Sequence, residues 1–249
     1  MVFRLAGQGP RGPAPRPGAS PFCQPGQHGG AIIAQPGDSG VARRLSDDGA
    51  ATRARQLLHV GCGARGNRSL PACLRGPAWH EIRLDIDPAV EPDIVASISD
   101  LHMVADASID AIFSSHNLEH LDAFAVPRAL AEFRRVLRAD GYALITLPDL
   151  RAIALHIAAD QLDSPLYQSP AGPIRPLDML FGHQGALAAG HHYMAHRTGF
   201  TATTLGRSLL AAGFHEVRVH EGRHWDLWAL ASMPATGAAV WDELAQVMQ

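Results

Sequence analysis

The chain has 249 residues, of which 47% are hydrophobic and 18% charged, and 21 Lys and Arg nearly balance 24 Asp and Glu for a formal net charge of -3. That balance excludes a global pull toward nucleic acid or an anionic membrane, and no apolar run approaches the roughly 20 residues of a membrane span. Cys23, Cys62 and Cys73 stand at unrelated spacings, which excludes a disulfide framework and suits a reducing, cytoplasmic setting.

Residues 1–50 differ from the rest. Gln8 to Gly40 is dominated by Gly, Pro, Gln, Arg and Ser, with isolated apolar residues such as Phe22 and Ile32. Such a stretch buries too little surface to offset its ordering entropy and is expected to be a disordered tail. No apolar run of signal-peptide length follows Arg4. Residues 51–249 are expected to form one domain.

From Gln56 strands alternate with helices. Strands are expected at 56–60, 81–86, 93–98, 109–114 and 142–147, the last stopped by Pro148. Val126, Leu130, Phe133 and Leu137 recur at helical spacing, with Arg128, Glu132, Arg134 and Arg135 off that stripe, and Asp140-Gly141 is the expected stop. A helix over about 150–162 follows. The stretch 160–200 is punctuated by Pro and Gly, the mark of a lid or binding loop. Order returns with a helix on Leu205 and Leu209, closed by Gly213, and strands at 215–220 and 226–232. The pattern predicts an α/β fold with a doubly wound, mainly parallel sheet.

The strand at 56–60 runs directly into Gly61, Gly63 and Gly66, a G-x-G-x-x-G turn. Without Cβ atoms such a turn bends tightly and lets a ligand lie against bare backbone, as at the nucleotide-binding corner of α/β sheets. The same fingerprint suits an NAD-dependent oxidoreductase. Two features disfavour that reading: Pro71 interrupts the following helix, where a pyrophosphate would need the dipole, and the chain ends on Gly-Phe, strand, turn, strand.

Several segments in order resemble the class I S-adenosylmethionine-dependent methyltransferases, particularly their small-molecule branch. They are His59-Val60-Gly61-Cys62-Gly63, Leu84-Asp85-Ile86-Asp87-Pro88, Ser99-Asp100-Leu101, Ser108 to Ile112 with Leu118-Glu119-His120-Leu121, Arg135 to Gly141, and Ala212-Gly213-Phe214. The resemblance implies a Rossmann-like seven-stranded mixed sheet with an antiparallel last strand and a lid insertion at about 160–200. It implies S-adenosyl-L-methionine as cofactor, contacted by His59, Gly61, Gly63, Asp85, Asp100, Leu101 and Ser115. Asp85 would hold the ribose hydroxyls, and Asp100 with the Leu101 amide the adenine. His59 departs from the family, which usually has an acid there, and that departure supports a rival reading as a catalytically silent cofactor-binding protein.

Methyl transfer is an in-line displacement, so the protein mainly aligns donor and acceptor. His116 and Ser115, just past the fourth strand, are the catalytic candidates, with His116 suited to a base. Asn117, Tyr193, His196 and Arg197 are the substrate candidates, a mix that suits a small anionic or sugar-like acceptor. Glu119 and His120 are expected to cap or pack. His183, His191, His192 and His196 invite a metal, but no carboxylate or cysteine joins them at useful spacing, so none is expected. Neither a nucleic-acid nor a membrane partner is expected. Trp225 and Trp228 are expected to pack, as is Cys62.

Overall fold

The computed structural model describes residues 1–4, 53–66 and 70–245. In chain order they form β1 (Val2–Arg4), β2 (Arg55–Val60), β3 (Trp79–Asp85), β4 (Ile94–Val95), β5 (Ile109–Ser115), α1 (Val126–Val136), β6 (Leu137–Pro148) and α2 (Leu150–Ala158). There follow β7 (Tyr167–Ser169), β8 (Gly172–Ile174), α3 (Pro176–Phe181), α4 (Gln184–Ala188), α5 (Ala202–Ala211), β9 (Glu216–Glu221), β10 (Asp226–Ser232) and α6 (Ala238–Ala245).

Eight strands make one sheet in the order β1-β9-β10-β6-β5-β2-β3-β4. β4, β3, β2, β5 and β6 are parallel, and β10 pairs antiparallel with both β6 and β9. The seven strands expected from the sequence are all present. The eighth is β1, antiparallel to β9. It corrects the expectation of a tail beginning at residue 1: Phe3 packs against the core, Gly206 leaves room on α5 for its ring, and the terminal ammonium donates to the Val219 carbonyl at 2.7 Å. The rest of the expected tail, residues 5–50, lies outside the described residues.

The two faces of the sheet are covered unequally. On one, α1 lays Val126, Leu130 and Phe133 on Leu58, Ile112 and Ile145, and α5 adds Leu205 and Leu209. On the other, Leu57, Phe113 and Leu144 meet Leu74, Trp79 and two residues of α6, Trp241 and Leu244. The alternation of apolar residues in β2 and β5 between these faces sets the register.

Three boundaries differ from expectation. α1 stops at Val136, not at Asp140-Gly141, because the Ala107 and Ser108 amides take the Arg135 and Val136 carbonyls at 3.0 and 2.9 Å, and the chain turns at once into β6. β4 is two residues long, since only Ile94 and Val95 pair with β3 before the chain leaves the sheet. The 160–200 segment is a short hairpin (β7, β8) followed by α3, α4 and a 3-10 turn at His192–Met194.

Candidate active site

A cavity of about 820 Å³ opens at the C-terminal ends of β2, β3, β4 and β5, where parallel α/β sheets bind ligands. Its floor is the glycine bend. Gly61 and Gly63 have φ of +63° and +61°, and a Cβ on Gly61 would stand 2.6 Å from Asn117 Nδ2. That close approach, with the left-handed backbone, is why glycine stands there.

β3 delivers Asp85 to the cavity wall. The Gly63 amide donates to one carboxylate oxygen at 2.9 Å and the Asp87 amide to the other at 3.0 Å. Two backbone donors fix the carboxylate while leaving each oxygen a further lone pair for a diol. Behind it lies a residue that sequence reasoning missed. Arg83, 7% exposed, donates to the Gly63 and Glu91 carbonyls and so clamps the bend against the loop after β3. Nothing in the sequence marks an arginine inside a strand for that task.

The third wall corrects the Asp100 and Leu101 expectation. Ser97, Ile98 and Ser99 line the cavity, and the two serine hydroxyls are 2.9 Å apart. Asp100 faces away. Its carboxylate, 51% exposed, pairs with His102 at 3.0 Å, which holds it below the usual carboxylate range. The Leu101 side chain is in the core, and its amide already donates to Glu132 at 2.8 Å. Because β4 ends at Val95, the chain has turned past the cavity before it reaches Asp100.

His59 is corrected likewise. Its imidazole lies on the other face of the sheet, 3% exposed, with Nδ1 2.7 Å from Glu81 and the ring against Phe113. Burial lowers its pKa more than Glu81 raises it. Cys62 is buried as expected, its thiol pushed up to about 11 mainly by that burial.

β5 delivers Ser115, His116 and Asn117, all on the cavity wall. His116 has φ of +49°, an uncommon conformation for a residue with a Cβ, and its amide donates to the Thr146 carbonyl at 2.8 Å. Its Nδ1 faces the Glu119 carboxylate at 3.3 Å. Burial opposes the charge on His116, but Glu119 outweighs it and the pKa is raised. Asn117 Nδ2 is buried without a hydrogen-bond partner, a donor available to a ligand.

The 160–200 segment supplies the remaining wall. Tyr193 and Arg197 line the cavity, joined by His191 and Met194. The Asp87 carboxylate beside the Tyr193 hydroxyl raises its pKa, and Arg197 faces Asp122 at 3.6 Å. His196 does not line it. It stands behind, beside Glu119 and His120, so the carboxylate that sequence spacing failed to find for the lid histidines is Glu119, reached across the fold. Burial opposes ionisation of Glu119, but His116, His120 and His196 outweigh it and lower its pKa; burial lowers that of His196.

Residues 58–145 match the family described as methyltransferase domain. Within that stretch lie a glycine bend that a Cβ would fill, a held carboxylate on its rim, and an unpartnered buried amide beside it. The chain is similar in structure to a SAM-dependent methyltransferase from Archaeoglobus fulgidus, at 16% identity over 73% of this chain and 87% of that one, with a TM-score of 0.47. A Methanosarcina mazei protein described as a SAM-dependent methyltransferase gives 18% identity over 72% and 92%, also with a TM-score of 0.47. No curated protein sequence matches the chain. Among the described residues, only a 3-10 turn at Ala72–Leu74 stands between the bend and β3, and no helix is long and apolar enough to cross a membrane.

Proposed function

We propose that the domain methylates an oxygen or nitrogen of a small, sugar-like or anionic acceptor held beneath the 160–200 segment. The single observation that carries this reading is that one cavity joins the Asp85 corner to His116, Tyr193 and Arg197. S-adenosylmethionine supplies a methyl group activated on a sulfonium. Gly61 and Gly63 offer bare backbone for its amino acid end, Asp85 accepts from its ribose hydroxyls, and Ser97 to Ser99 flank its adenine. Ser115 lies at the strand end next to His116, where donor and acceptor meet.

His116 is the proposed catalytic residue, taking the proton of the acceptor hydroxyl or amine, with Glu119 behind it stabilising the imidazolium that forms. Asn117 donates from its unpartnered amide, and Arg197 attracts an anionic group. His59 plays no part in this scheme, so its departure from the family pattern no longer favours a silent protein. Cytoplasmic location rests on the irregular cysteine spacing, and the Cys62 thiol is free and buried. Calorimetry with S-adenosylhomocysteine and with NAD tests the cofactor: tight binding of the first and none of the second is expected, and the reverse would overturn the reading. With an acceptor in hand, Arg197→Ala should raise its KM and leave cofactor affinity unchanged. Loss of both together would mean that Arg197 only holds the fold.

A further inference from the structure

Behind the acceptor end of the cavity lies a buried carboxylate that only part of its surroundings answers. Glu119 is 1% exposed; its Oε1 faces His116 Nδ1 at 3.3 Å, while its Oε2 has no hydrogen-bond partner. A buried ionised carboxylate with one oxygen left unpaired is costly and favours a cation beside that oxygen. The 3-10 turn at Leu118–His120 sets His120 beside it. The returning lid segment brings His196, held there by the Arg197 and Thr198 amides, which donate to the Glu119 carbonyl at 2.8 and 3.2 Å. One ligand atom each from Glu119, His120 and His196 lies within 4.8 Å of the other two.

Both imidazoles are oriented by the backbone. His120 Nδ1 is 3.2 Å from the Ala195 carbonyl and His196 Nδ1 is 2.8 Å from the Met179 carbonyl. A carbonyl only accepts, so each Nδ1 carries a proton and the neutral ring keeps its lone pair on Nε2. A carbonyl on the far nitrogen is how metal-binding imidazoles are fixed in tautomer and direction.

We propose that Glu119, His120 and His196 form a binding site for one divalent first-row transition ion, with Zn²⁺ the best match. Two imidazole nitrogens and one carboxylate oxygen suit such an ion, whereas Mg²⁺ and Ca²⁺ prefer oxygen throughout. Bonds of about 2.0–2.2 Å set the ligand atoms of one ion about 3–4 Å apart, so the ion draws this set inward by about 1 Å. Three protein ligands leave a place for an oxygen from outside. His120 and Arg197 line the cavity, so on the methyltransferase reading that oxygen is a hydroxyl or carboxylate of the acceptor, docked beside His116.

The test uses the full, untagged chain, stripped with chelator and titrated with Zn²⁺ by calorimetry, with Co²⁺ absorption as a second readout. One equivalent of Zn²⁺ should bind, and Co²⁺ should give the visible bands of a four-coordinate site. Glu119→Gln and His196→Ala should each weaken Zn²⁺ at least tenfold, while His192→Ala, outside the cluster, should not. Absence of a stoichiometric site, or equal affinity in His196→Ala and the parent, would overturn the proposal. If Glu119→Gln fails to fold, the parent's Co²⁺ spectrum and His196→Ala still decide. S-adenosylhomocysteine titrated into the same preparations separates the two readings: its failure to bind would strike the methyltransferase reading and leave the metal site standing.

Discussion

The two ends of the cavity are built differently. The cofactor corner is made by residues close in sequence and mostly by backbone: glycines at positive φ, amides holding Asp85, and Arg83 on two carbonyls. The acceptor end is made by side chains from distant segments, with Glu119 against His196 and Tyr193 against Asp87. A corner built from backbone tolerates almost any surface around it. An end built from side chains is redesigned by changing a few of them, which on the proposed methyltransferase reading suits a constant donor and a variable acceptor.

Five substitutions sharpen that contrast. The largest effect belongs to Gly61→Val, which forces a branched side chain into a left-handed backbone and into Asn117; loss of S-adenosylhomocysteine binding by more than about 100-fold is expected by calorimetry. Arg83→Met keeps the buried stem but removes the donors to the Gly63 and Glu91 carbonyls. Denaturant unfolding should show a loss of about 3 kcal/mol. Asp85→Ala should cost cofactor binding about 1–3 kcal/mol with little change in stability, and an unchanged dissociation constant would remove Asp85 from the site.

The smallest effects lie away from the corner's backbone. Tyr193→Phe removes only the hydroxyl that faces Asp87 and should speed hydrogen exchange over 186–197 without altering exchange in β2 or β3. His59 gives a pH dependence of known sign. Burial, helped by Arg83 and opposed by Glu81 and Asp85, sets its folded pKa below the unfolded value of about 6.5. Its contribution is therefore complete above about pH 6.5 and is lost as pH falls through the folded value, because the unfolded chain takes the proton first. His59→Gln should flatten the fall of unfolding midpoint below that pH; an unchanged slope would assign the titration elsewhere.

The same contrast explains what could be read from the residues alone. β2, β5 and the α1 stripe follow from local periodicity, and Gly61 and Gly63 from the absence of a Cβ, so these elements and the Asp85 corner were legible. Asp100 was misplaced because spacing assumes a strand that continues, whereas β4 stops at Val95 and the acid swings out to His102. Leu101 lost its expected role to Glu132 on α1, whose i,i+3 pairing with Arg135 gave no hint of an amide to be capped. The Glu119–His196 meeting depends on where the returning lid docks, and no local pattern encodes that.

The chain's opening residues carry a practical consequence. Val2–Arg4 seals the outer backbone of β9, and Phe3 plugs the notch that Gly206 leaves on α5. Starting a shortened protein near Ala54, a natural economy given the composition of the region before it, would bare a row of amides and carbonyls together with an apolar notch. Such a product should retain the cofactor corner, at the opposite side of the sheet, yet self-associate edge to edge as its concentration rises.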